Sequence, residues 1–134
     1  MKGAMIMIMR QIRTSVETRG MMEKLKAIYR AEKFEQDDQV TMTVGYILNT
    51  AYKEVADLED WDHVIDTKVT IEPEYLDAVR ETKTQVTRFR LADSTSEGID
   101  SLTRVFSEEL GLKCQVGFTV KQILKAAILL RKEA

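Results

Sequence analysis

The sequence predicts a mainly α-helical domain built from two copies of a strand–helix–helix unit, and three observations support this. The first is an internal repeat. Gln39–Ala51 aligns without gaps on Gln115–Ala127 at an offset of 76, with identity at seven of thirteen positions. Upstream, at an offset of 77, Arg13 matches Arg90, Thr18 matches Thr95, Leu25 matches Leu102 and Glu32 matches Glu109. The second is that apolar periodicity switches from two to three-and-four within each copy. The third is size. A unit of roughly 45 residues is too small to bury a stable core alone, so two units in a chain of 134 residues are expected to share one core.

The second copy justifies its elements in order. Thr87-Arg88-Phe89-Arg90-Leu91 alternates, with Phe89 and Leu91 on one face and the arginines on the other, as in a half-buried strand. Ser94-Thr95-Ser96-Glu97 has the pattern of a capping box that opens a helix. Ile99, Leu102, Val105, Phe106 and Leu110 form the stripe of that helix, and Gly111 offers a C-terminal stop. Thr119 with Gln122 suggests a second capping box, followed by a stripe of Val120, Ile123, Leu124, Ala127 and Ile128.

The first copy repeats this order. Its strand spans about Ile8 to Thr14, with Ile12 inward and Gln11 and Arg13 outward. Its first helix runs from about Val16 to Lys33, and its second begins near Thr43 and carries Val44, Ile47, Leu48, Ala51 and Tyr52. Arg10 departs from the pattern, standing on the nominally inner face where the second copy has Thr87. The residues before the first strand are expected to be a loose end rather than a signal peptide, because Arg10 and Arg13 follow where a small-residue cleavage site would be needed.

The chain therefore divides into repeat 1 (residues 1–54), an insert (55–84) and repeat 2 (85–134). The net charge of −2 also divides unevenly. Residues 1–54 hold nine Lys/Arg and seven Asp/Glu (+2), residues 55–84 three and nine (−6), and residues 85–134 eight and six (+2). The repeats are mildly basic although the whole chain is acidic, so nucleic acid stays open as a partner. In the insert, Ile65, Val69 and Ile71 alternate like a short strand, Pro73 can open a short helix with Tyr75, Leu76 and Val79 on one side, and Trp61 stands among acids. The insert is too apolar for a flexible linker and is expected to pack on the repeats.

Several function classes find no support. With one cysteine, Cys114, and one histidine, His63, no intramolecular disulfide and no cysteine metal cluster can form, and nothing near either residue in sequence forms a dyad. Asp60, Asp62 and Asp66 lack the glycine and distal glutamate of a calcium loop. No glycine-rich phosphate loop is present, and no run approaches 18 apolar residues. The expectation is a cytoplasmic protein that is not an enzyme and uses no cofactor or metal.

A strand with outward polar residues followed by two amphipathic helices resembles the ribbon-helix-helix family of DNA-binding proteins, the Arc and MetJ type. Thr87–Leu91, the stripe Ile99–Leu110 and the run Thr119–Ala127 carry the likeness, and both copies together cover roughly two-thirds of the chain. The resemblance implies a mainly α fold with a short two-stranded antiparallel ribbon, in which the two units form an intramolecular pseudo-dimer. It implies double-stranded DNA as partner, with the ribbon in a major groove about 12 Å wide.

Carried over by position, the base-contacting residues are Met9, Gln11 and Arg13 on one strand and Val86, Arg88 and Arg90 on the other. The phosphate contacts implied at the N-termini of the second helices are Thr43 and Val44, and Thr119 and Val120 with Lys121 as an extra cation. The functional expectation is a sequence-specific transcriptional repressor or regulator of prokaryotic or viral origin, able to self-associate on DNA. Two rivals are an accessory protein at a plasmid transfer origin and a protein-interaction module without DNA. A protein partner could dock on the acidic insert through Trp61.

Overall fold

The computed structural model describes residues 6–37, 39–79 and 83–133. Of the loose end expected before Ile8, Met1–Met5 lie outside these residues and Met7 belongs to the first strand. Among the described residues the protein is mainly helical, with six helices and one two-stranded antiparallel sheet. The order is β1 (Met7–Thr14), α1 (Val16–Lys33), α2 (Val44–Val55), α3 (Trp61–Asp66), α4 (Pro73–Asp77), β2 (Gln85–Ala92), α5 (Asp93–Leu110) and α6 (Val116–Glu133). No described helix is long and apolar enough to cross a membrane.

The alternation read from the sequence forms the sheet. Ile12, Phe89 and Leu91 are buried under it, while Gln11, Arg13, Arg88 and Arg90 stand on the opposite, exposed face. The register pairs Met9 with Arg90, Gln11 with Arg88 and Arg13 with Val86. The inner face covers one core that draws on both copies, including Leu25, Tyr29, Ile47 and Leu48 with Ile99, Phe106, Ile123 and Leu124. The second helix of each copy lies against the other copy's strand, α2 on β2 and α6 on β1, and α2 packs on α6.

Ser15 caps α1, its Oγ accepting from the Thr18 N–H at 3.1 Å. Gly111 ends α5 at φ 66°, a left-handed position that suits glycine. The capping box expected at Ser94–Glu97 does not form. Here α5 begins at Asp93 directly off the strand, with Ala92 as an N-cap that has no side-chain bond, and Thr95 and Ser96 are buried inside the helix. The inner-face Arg10 explains part of this. Its guanidinium donates to Ser96 Oγ at 3.0 Å and pairs with Asp100 at 3.1 Å.

The insert packs on the repeats through α1 and α6. Trp61 is buried and meets the Phe106 ring edge-on at 5.5 Å, so it is a core residue and not the exposed docking point expected from its acidic neighbours. Ile65 belongs to α3, and Val69 and Ile71 lie in irregular chain, so the extra strand does not form; no strand edge pairs with it. Two buried lysines secure the segment. Lys24 Nζ donates to Thr70 O and Glu72 Oε1, and Lys125 Nζ donates to Ile65 O and Thr67 O. Burial holds the Lys125 ammonium below its usual pKa, with the nearby Lys121 charge adding to the effect. Asp60, one of the clustered acids, caps α3 by accepting from the His63 N–H.

Candidate nucleic-acid interface

The exposed face of the ribbon is a grid of three paired rows: Met9 beside Arg90, Gln11 beside Arg88, and Arg13 beside Val86. All six side chains are exposed. Every other described arginine has an intramolecular partner. Arg10 holds Ser96 and Asp100, Arg19 holds Thr14 and Lys83, and Arg30 holds the carbonyls of Asp37 and Val40. Arg104 reaches Ser101, and Arg131 binds Glu32 and Glu54. Among the described residues, no hydrogen bond or ion pair engages the side chains of Arg13, Arg88 and Arg90. Three unengaged guanidiniums thus share one face with a glutamine and two apolar side chains, and none of the six is an acid. Such a face suits polyanion contact, since each guanidinium keeps its fork of donors for an outside acceptor.

The N-terminal turns of α2 and α6 press against this ribbon from either strand. A Cβ at Gly45 would collide with the carbonyl oxygen of Arg90, and one at Gly117 with that of Arg13. Glycine at the second helical position is therefore what lets each helix start so close to a strand. Asn49, one turn along α2, fixes the approach: its Oδ1 accepts from the Ala92 N–H at 3.0 Å and its Nδ2 donates to Arg90 O at 3.3 Å. Thr43 caps α2, with Oγ1 accepting from the Tyr46 N–H at 3.1 Å, and Val44 is the first helical residue.

The second helix of the second copy differs from expectation. It begins at Val116, one turn before Thr119. Thr119 and Val120 are fully buried inside the helix, and the Thr119 hydroxyl hydrogen-bonds that of Thr103 at 2.6 Å, so neither residue is at a helix end. Lys121 pairs with Glu17 at 3.1 Å, so its charge already has a partner. Gln115 and Val116 take the positions that Thr43 and Val44 hold in the first copy. The sequence does contain the signal for this: Val44-Gly45-Tyr46 matches Val116-Gly117-Phe118. The offset of 76 scored more identities, but it is displaced by four residues from the structural offset of 72. A shift of about one turn keeps an apolar stripe in phase and so passes unnoticed.

At the far end of the helices, away from the ribbon, Arg131 binds both Glu32 and Glu54, lies 5.1 Å over the Tyr29 ring, and faces the Tyr29 hydroxyl that donates to Glu54. Burial and the adjacent Glu54 carboxylate push the Tyr29 pKa up, and hydrogen bonding to Arg131 holds that of Glu32 down. The network ties α6 to α1 and α2. Comparison with protein-family models, with curated proteins and with solved structures gives no match for this chain.

Proposed function

We propose that this chain is a sequence-specific DNA-binding protein of ribbon-helix-helix type, acting as a transcriptional regulator, in which the two copies form an intramolecular pseudo-dimer and the ribbon enters the major groove. The observation that carries this reading is the set of unengaged arginines confined to one ribbon face, with the N-terminal turns of α2 and α6 beside it. The register supports the pseudo-dimer. Gln11 and Arg88, which correspond at the offset of 77, face each other at the centre of the ribbon, and the pairs Met9–Arg90 and Arg13–Val86 exchange under that correspondence. Helices α1 and α5 have matching limits at the same offset.

A two-stranded ribbon fits the major groove, and outward side chains of alternate residues reach base edges there. Helix N-termini on both flanks suit backbone phosphates through free N–H groups and the helix dipole. Thr43 and Val44 serve on one side and Gln115 and Val116 on the other. The −6 insert is held against α1 and α6, and its acids act as a long-range brake on non-specific association.

The test is binding of genomic duplex fragments, measured by anisotropy at two salt concentrations, for the natural chain and a variant with Arg13, Arg88 and Arg90 all replaced by alanine. The natural chain is expected to bind with affinity that falls steeply with salt. The variant is expected to lose binding while its melting temperature stays unchanged, because no hydrogen bond or ion pair among the described residues engages the three side chains. Equal binding by both proteins would contradict the proposal.

A further inference from the structure

We infer that the DNA site read by this ribbon carries an inverted pair of guanines, one on each strand, set symmetrically about an asymmetric centre; the inference rests on the DNA-binding reading above. The grid fixes the geometry. Successive rows are two residues apart, roughly 6.6 Å along the strand, so Arg90 in the first row and Arg13 in the third lie about 13 Å apart along the ribbon. That separation corresponds to about three to four base pairs at 3.4 Å rise, allowing for the oblique path of the groove.

Arg13 and Arg90 are equivalent in the two copies, so they approach the duplex from pseudo-symmetric directions and read opposite strands. The commonest specific base contact of an arginine free to reach the groove is the bidentate pair with guanine O6 and N7. Both side chains meet that condition among the described residues. The guanines therefore form an inverted pair.

The middle row breaks this symmetry. Gln11 and Arg88 are equivalent and face each other, yet glutamine suits adenine N6/N7 and arginine suits guanine. One half of the centre is read as adenine and the other as guanine, so the bound site has a direction and the chain sits on it in one orientation. Met9 and Val86, the remaining equivalent pair, are 53% and 50% exposed and offer apolar contact to a thymine methyl beside each guanine.

The experiment is repeated selection from a pool of random-sequence duplexes, followed by sequencing, with the full chain and the variants Arg13→Ala, Arg90→Ala and Gln11→Arg. The natural chain should enrich an inverted guanine pair with an unsymmetric centre. Arg13→Ala should lose preference at one guanine and Arg90→Ala at the other, each by on the order of ten- to a hundredfold. Gln11→Arg should convert the enriched motif into a palindrome. Enrichment of a motif without the inverted guanines, or a uniform loss of affinity in both arginine variants with the motif intact, would overturn the inference while leaving DNA binding standing. Absence of any enrichment, together with salt-independent or undetectable binding to bulk duplex, would overturn the underlying functional reading instead.

Discussion

Arg10 and Thr87 correspond in the two copies, and so do Arg19 and Ser96, but the copies place their large residue on opposite elements. On one side the strand supplies the arginine: Arg10 reaches out to Ser96 and Asp100 of α5. On the other the helix supplies it: Arg19 of α1 reaches back to Thr14, whose hydroxyl bonds that of Thr87 at 2.7 Å. Each contact between strand and helix thus joins one long cationic side chain to small hydroxyls. Two first copies placed in the same arrangement would set Arg10 against Arg19, and two second copies would leave Thr87 facing Ser96 across a gap. The two arginines are used differently: Arg10 bonds across to the other copy, whereas Arg19 bonds Thr14 of its own copy and the Lys83 carbonyl of the insert.

The second helices teach the complementary lesson. There the copies agree where close packing demands it, with Val-Gly-aromatic at both helix starts, and differ beyond. Asn49 of α2 bonds the strand, whereas Lys121, which holds its place in α6 at the offset of 72, pairs with Glu17 of α1. The insert is held from both copies, by Lys24 of α1 and by Lys125 of α6.

The sharpest way to break the comparison is at the two glycines. An exposed-helix expectation would have Gly→Ala stabilise by up to about 1 kcal/mol. Here the added methyl meets a strand carbonyl in each case, a backbone neighbour with little room to yield. Gly45→Ala and Gly117→Ala should therefore each destabilise by about 1–3 kcal/mol in urea unfolding, the usual range for overpacking. The unfolding should remain one transition because the halves share a core.

A smaller effect tests the arginine exchange. Arg10→Thr should cost about 1–2 kcal/mol, the loss of charged hydrogen bonds to Ser96 and Asp100. Ser96→Arg alone should also destabilise, since it sets a second guanidinium beside Arg10. The double variant places Thr on the strand and Arg on the helix, the residue types found on the other side. It should recover a large part of the loss, measured as a coupling energy in a double-mutant cycle. Simple additivity would show that the two sides are not interchangeable.

The smallest effect is on pH. Hydrogen bonds from Arg131 and Lys24 hold the carboxyls of Glu32 and Glu72 below their ordinary pKa. A lowered folded-state pKa contributes stability that is present above the unfolded carboxylate pKa and is lost as pH falls through the folded one. Both carboxylates are well exposed, so the contribution is small. Urea midpoints of Glu32→Gln and Glu72→Gln should lie slightly below the natural protein at neutral pH and converge with it in acid.

Much of this fold was legible because it obeys local periodicity. The strands showed period two, and α1 was legible from about Val16 to Lys33, the limits that the structure has. The outward Gln11, Arg13, Arg88 and Arg90 followed from alternation, and the family resemblance added Met9 and Val86 to that face. What stayed hidden depended on tertiary partners. Trp61 among acids reads as a surface residue until Phe106 is seen beneath it. Ile65, Val69 and Ile71 alternate without a strand to pair with. The start of α6 was displaced by one turn because helical repeats are nearly blind to that shift. Lys24 and Lys125 look like ordinary surface charges, and only their carbonyl partners in the insert explain their burial.

The most direct test of the ribbon as a reading surface is a map of backbone amide chemical-shift changes as duplex DNA is added to the full chain. The account predicts the largest changes at Met9–Arg13 and Val86–Arg90, with a second set at Thr43–Tyr46 and Gln115–Phe118, and little change around Trp61 or Arg131. Changes centred on the acidic insert or on the Tyr29–Glu54–Arg131 end, with the ribbon silent, would contradict it.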